Sequence, residues 1–157
     1  MNDLTLSKIS ERIASGKDNI ELAKNRIWHW TNHNLIPTEG DSSSGRGRHR
    51  QYSTRGLLIA AILWELSRFD LPVGVLKQIK PTLDNLMDFV LENIEPEITS
   101  EILKGRYLMW FVITCDDETD KYDCIYTDKE KVLKQKMEDA IAIILNIEKI
   151  AKRVTRP

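Results

Sequence analysis

Thr38-Glu39-Gly40-Asp41-Ser42-Ser43-Ser44-Gly45-Arg46-Gly47-Arg48-His49-Arg50-Gln51-Tyr52 is the stretch on which the fold turns. Glycine and serine make its first part pliable, and arginine then takes every second place at 46, 48 and 50. Alternation at period two puts like side chains on one face of an extended strand. The expected element is a glycine-tipped β-ribbon with one arginine face. No acidic residue occurs between Ser42 and Trp64. Arginine's planar fork suits phosphate oxygens, and guanidinium groups crowded along one strand repel each other until an anion arrives. A solvated basic loop is the bland alternative, so the flanking elements have to decide.

Upstream, Leu6, Ile9 and Ile13 share one face of a helix expected from Leu6 to Ala14. Asp18 or Asn19 can cap a second helix, from about Ile20 to His33. Ala23, Ile27 and Trp30 continue from Ile20 as its buried stripe, and Lys24, Arg26 and Trp28 fall off it. Leu35-Ile36-Pro37 ends it. Downstream, Ser53 can cap a third helix in which Leu57, Ala60, Ala61 and Trp64 recur, ending near Phe69. Asp70 is expected to cap a short fourth helix with Pro72 in its first turn. Pro81 is expected to start a fifth, with Leu83, Met87, Val90 and Ile94 in register and Pro96 breaking it.

The rest of the chain has another character. Arg106 to Thr114 is rich in aromatic and β-branched residues and reads as a strand. Asp116 to Lys121 is a polar turn, and Tyr122 to Tyr126 a second strand. Thr127 and Glu130 have capping-box spacing. A last helix is expected from there to about Arg153, with Leu133, Met137, Ala140, Ile144, Ile147, Ala151 and Val154 forming a heptad seam. Met137, Ile144, Ile147 and Ala151 are its candidate dimerisation residues. The expected fold is mainly α with small β elements. A winged helix-turn-helix in residues 1–80 is followed, in residues 81–157, by a helix, a β-hairpin and a C-terminal amphipathic helix for dimerisation and a possible effector.

Charge divides the same way. Residues 1–80 hold 12 Lys+Arg against 8 Asp+Glu, and residues 81–157 hold 11 against 16. A basic half joined to an acidic half suggests that one part meets an anion. The longest apolar run, Leu57 to Trp64, is 8 residues, far short of a bilayer span. The first residues lack the order of a secretion signal, and 2 cysteines make no disulfide framework. The expectation is a cytoplasmic, nucleoid-associated protein with no membrane partner.

Helix, turn, helix, wing is an arrangement that grips DNA with one helix in a groove and the wing on the backbone. Over residues 5–80 the chain resembles the MerR family of winged-helix transcriptional regulators. The resemblance rests on Ile27-Trp28-His29-Trp30-Thr31, then Asn34-Leu35-Ile36-Pro37, then a wing ending Arg50-Gln51-Tyr52-Ser53, with Asp70-Leu71-Pro72-Val73-Gly74-Val75-Leu76 beyond the third helix. Trp28 stands where the family has a recognition-helix arginine, with Arg26 a possible substitute. Thr31 stands for the usual glutamate and Asn34 for the usual glycine, a position where asparagine tolerates a left-handed backbone. The resemblance implies a homodimer on a palindromic promoter site in double-stranded DNA, with RNA polymerase as a possible further partner. The DNA-binding candidates are Lys24, Arg26, Trp28, His29, Arg46, Arg48, Arg50, Tyr52 and Arg55.

Three other features need weighing. His29 and His33 have the spacing that lets two imidazoles share a metal, but with no further ligand nearby a DNA-facing pair is the better reading. Cys115 and Cys124 flank an acidic turn and would be diagonal neighbours on one hairpin face. Some metal-sensing members of the family carry paired cysteines after the dimer helix, but a small buried hydrophobe is the simpler role here. No phosphate-cradling glycine loop, metalloprotease helix or nucleophile elbow occurs, so neither an enzyme nor a cofactor is expected. Beside the regulator stand two alternatives: an excisionase-like architectural or recombination accessory protein, and a module whose basic ribbon binds an acidic protein.

Overall fold

The computed structural model describes residues 4–14, 19–39, 50–92, 110–116, 121–127, 129, 131–132, 134–135 and 142–155. These residues are mainly helical with two small antiparallel sheets. The chain divides into two compact units, Met1–Asp70 with Arg153–Pro157, and Leu71–Lys152. The division falls after Asp70 rather than at residue 80, and the reason lies in the fourth helix, below.

In the first unit, β1 (Leu4–Thr5) leads into α1 (Leu6–Ile13), then α2 (Ile20–Asn32), β2 (Gln51–Tyr52) and α3 (Thr54–Leu66). Each helix starts on a side-chain cap. Thr5 accepts from Lys8 N at 3.4 Å, Asn19 from Glu21 N at 2.9 Å and Leu22 N at 3.2 Å, and Ser53 from Gly56 N at 3.2 Å. Such caps satisfy amide donors that have no partner inside the helix. β1 and β2 pair antiparallel, Leu4 opposite Tyr52, and Glu39 N donates to Gln51 O at 2.9 Å. The base of the expected ribbon is therefore present, with an added N-terminal strand that the sequence pattern did not announce. Its arginine-bearing centre, 40–49, lies outside the described residues.

α3 is apolar on every side and buried from Gly56 to Trp64. Ile9, Ile13, Ala23, Ile27, Trp30 and Tyr52 complete the core. A Cβ on Gly56 would meet Pro37 O at 3.0 Å, so only glycine lets α3 approach that turn without a shift. After α3 a 3-10 turn, Ser67–Phe69, ends at Asp70 with φ 52°. Asp70 thus closes one element instead of capping the next.

The second unit opens with α4 (Val73–Glu92), one helix with Pro81 inside it, where a short helix and a second helix starting at Pro81 were expected. An interior proline removes a hydrogen bond and costs about 3 kcal/mol. Val75, Leu76, Ile79, Leu83, Leu86 and Met87 are buried in unbroken helical spacing across it. Burial contributes roughly 1.5–3 kcal/mol per large aliphatic side chain, so the stripe outweighs the proline.

β3 (Trp110–Asp116) and β4 (Lys121–Thr127) form the expected hairpin, Ile113 opposite Cys124 and Cys115 opposite Tyr122. A third strand, β5 (Ala142–Asn146), pairs with the other edge of β3, and α5 (Ile147–Thr155) follows. This overturns the continuous heptad helix. The β-branched Ile143 and Ile144 pair opposite Ile113 and Val112, closing an edge that a hairpin would leave open. Asn146 Oδ1 then accepts from Lys149 N at 2.9 Å and starts α5. Ile147 and Ala151 are buried within their own chain and Ile144 is half-buried on β5, so these three do not share a helical seam. Met137 lies outside the described residues. Thr127 Oγ1 accepts from Lys129 N at 3.0 Å, a turn bond, and Glu130, the other half of the expected capping box, also lies outside. No helix among the described residues is long and apolar enough to cross a membrane.

Candidate functional site

α2 carries four of the DNA-binding candidates, Lys24, Arg26, Trp28 and His29, and its two faces are sharply distinguished. Ala23, Ile27, Trp30 and Thr31 are buried. Thr31 Oγ1 donates to Ile27 O at 2.8 Å and lies 3.2 Å from Tyr52 Oη. That polar pair inside the core fixes the base of the ribbon against the helix. It also corrects the DNA-contact role expected of Tyr52, which is fully buried. The C-terminus of α2 closes through Leu35 N on Trp30 O at 2.9 Å, with Asn34 at φ 58°. The left-handed conformation anticipated for Asn34 is present.

The cations are placed differently from the expectation. The Arg26 guanidinium donates to the Ser67 hydroxyl and lies 5.4 Å from the centre of the Trp64 ring. Position 26 follows Ala23 by three and precedes Trp30 by four, so it borders the buried stripe and turns toward the end of α3. This corrects Arg26 as an outward base reader. Lys24 is ion-paired with Glu21 at 2.6 Å. Arg50 donates from Nη2 to Asn32 Oδ1 at 2.8 Å, bolting the returning strand of the ribbon to the last turn of α2. Arg55 sits half-buried in the first turn of α3. Arg46 and Arg48 lie outside the described residues.

The outward face consists of Asn25, Trp28, His29 and Asn32, all exposed, with Trp28 at 55%. His29 and His33 meet edge to face, ring centres 4.4 Å apart. Trp28 and His29 therefore stand where the sequence reading put them. Asn25 and Asn32 were overlooked, although their spacing of three and four from Trp28 was a readable signal.

At the far end of α3, Glu65 binds Arg153 at 2.5 Å and Arg68 at 3.5 Å. In the second unit, Cys115 and Cys124 lie diagonally on one face of the hairpin and are not joined by a disulfide. Cys124 Sγ is 3.9 Å from Ile79 O. Burial pushes the Cys124 thiol up from its usual range, opposed by a hydrogen bond with Thr82 and reinforced by Asp123. No group of three or more His, Cys, Asp or Glu among the described residues could hold a metal ion.

No protein-family model matches the chain, and no curated protein matches it.

Proposed function

We propose that the protein is a sequence-specific DNA-binding transcriptional regulator whose first unit is a winged helix-turn-helix. α2 enters the major groove of double-stranded DNA, and the arginine ribbon, as the wing, grips the neighbouring backbone. The observation that carries this reading is the Arg50–Asn32 hydrogen bond at the C-terminal end of α2. It ties Arg50, where the chain returns from the basic stretch, to a helix whose outer face is polar, aromatic and exposed. Phosphate contacts set register and base edges set specificity, so a ribbon held against a groove helix combines the two functions.

The protein acts as a homodimer on a palindromic promoter site, in the nucleoid and within reach of RNA polymerase. The reading assigns it binding and no catalytic step. Since Ile147 and Ala151 are buried in their own chain, the dimer contact belongs to other residues of Leu71–Lys152. That placement leaves both copies of α2 free for DNA.

Footprinting and salt titration test the reading. Arg48→Ala should weaken binding to all duplexes alike and lower the salt slope by about 1, because one phosphate contact is lost. Protection of a palindrome at a promoter supports a regulator. Protection of attachment-site arrays would make it a recombination accessory protein, and no protection at all would favour a protein-binding module.

A further inference from the structure

We infer that the open edge of β5 is the homodimer contact: Ala142–Asn146 pairs antiparallel with the same strand of a second copy, with Ile144 on the two-fold axis. The inference rests on the homodimer proposed above, and not on what that dimer binds.

The three-stranded sheet runs β4-β3-β5, so β4 and β5 are its edges. An edge strand presents a row of backbone N–H and C=O groups that another strand can pair with, and natural edges are blunted by charged side chains, proline or bulges. β4 is blunted. It carries Lys121 and Asp123, and the Asp123 carboxylate accepts from Cys124 N at 2.9 Å. β5 is not. Ala-Ile-Ile-Leu-Asn holds no charge and no proline, and no further strand among the described residues pairs with it.

The Asp123 bond also fixes which β5 groups face outward. In antiparallel pairs, opposed residues alternate between exchanging both backbone bonds and exchanging none. Cys124 gives its N–H to the neighbouring carboxylate, so Ile113 and Cys124 are a pair that exchanges none. The N–H and C=O of Ile113 then point the other way, to Ile143. Ile143 and Leu145 therefore bond to β3, and the backbone groups of Ala142, Ile144 and Asn146 point to the open edge.

A second copy fits that edge for two reasons. Like charges directly opposite each other destabilise a strand pair, and a strand without charge meets none when it faces itself. The outward set is also symmetric about its middle. Antiparallel overlap sets Ala142 against the partner's Asn146 and Ile144 against the partner's Ile144, a closed two-fold contact. Ala142, Ile143 and Ile144 are half-buried in the single chain, and an added strand covers them further.

Analytical ultracentrifugation in the absence of DNA tests the contact. The wild type should sediment as a dimer. Ile144→Pro removes the N–H nearest the axis in both copies and should raise the dimer dissociation constant roughly five- to hundredfold. Proline is tolerated in a strand where its missing N–H faces the open edge, so hydrogen exchange of the β3–β4 amides should show an intact sheet. Ile143→Pro, whose N–H is needed by β3, should instead expose those amides. In a Cys115→Ser, Cys124→Ser background, Ile144→Cys should form a disulfide between copies under mild oxidation. Opposed residues of a hydrogen-bonded pair have Cα atoms about 5.5 Å apart, within disulfide reach, and this is a gain that misfolding cannot imitate. An Ile144→Pro variant that remains a dimer of wild-type affinity, or an Ile144→Cys variant that does not cross-link, would overturn this contact and leave a homodimer built elsewhere. A wild type that sediments as a monomer would remove the contact and the homodimer together, and footprinting would still decide the DNA-binding role.

Discussion

The two units place their elements by different means. In Met1–Asp70, the helix starts are written beside the helices, on Thr5, Asn19 and Ser53, and the turn after α2 is held by bonds within Trp30–Leu35. In Leu71–Lys152, the deciding interactions come from far along the chain. α4 runs through Pro81 because its apolar stripe continues, and β5 is a strand because β3 has an edge to pair. Local chemistry sets the helix starts of the first unit, and non-local pairing sets the third strand of the second. Non-local contacts carry loop-closure entropy that adjacent ones do not. The contrast can be broken or sharpened by substitution.

The largest effect is expected at Phe111, fully buried in the central strand and paired on both sides. Phe111→Ala should cost about 3–5 kcal/mol through lost burial and a cavity. Hydrogen exchange of the β3–β5 amides should show it directly, and retained protection would mean the sheet does not depend on this side chain.

Pro81→Ala is expected to act in the opposite direction. Pro81 is exposed, so no packing is lost, and α4 regains a backbone donor in its interior. Urea unfolding should show a gain of about 1–3 kcal/mol. A loss would place a helix boundary at Pro81 and restore the two-helix reading.

The caps give a smaller and more pointed comparison. Asn19 caps α2 in the first unit, and Asn146 caps α5 after β5. Each Asn→Ala change should cost about 1 kcal/mol by thermal or urea unfolding. If Asn146→Ala costs much less than Asn19→Ala, strand pairing alone sets the start of α5, and the contrast between the units is sharper still.

The smallest effect concerns Cys124. Its thiol is raised in the folded chain, chiefly by burial. Its stabilising contribution is therefore fully present below the ordinary thiol pKa and is lost as pH climbs through that value toward the raised one. Above the ordinary thiol range, the wild type should lose stability faster than Cys124→Ala. Unfolding midpoints at several alkaline pH values would register the difference, and parallel curves would place the thiol in contact with water.

Much of the candidate site is legible in the sequence. The spacing of Ala23, Ile27 and Trp30 placed the inner face of α2, and so placed Trp28 and His29 outside. Arg26 was misread because a long side chain at the border of a stripe can bend either way, and Ser67 and Trp64 are remote in sequence. Tyr52 was misread because a tyrosine after a basic run resembles a phosphate ligand until Thr31 is seen against its hydroxyl. Asn25 and Asn32 passed unnoticed because a neutral amide carries no compositional signal.

The sequence by itself determined α1 and α2 to within a residue, the start of α3 on its Ser53 cap, the left-handed Asn34, and the diagonal placement of Cys115 and Cys124 on the β3–β4 hairpin. Each follows from side chains acting on a backbone a few residues away. Only the tertiary structure decided that α4 is one helix, that Ala142–Asn146 is a strand, and that Arg26 turns inward. Periodicity records how apolar residues recur along a chain, but not which partner they will meet. Ile143 and Ile144 suit a buried helix face and a buried strand equally well, and the open edge of β3 selects the strand.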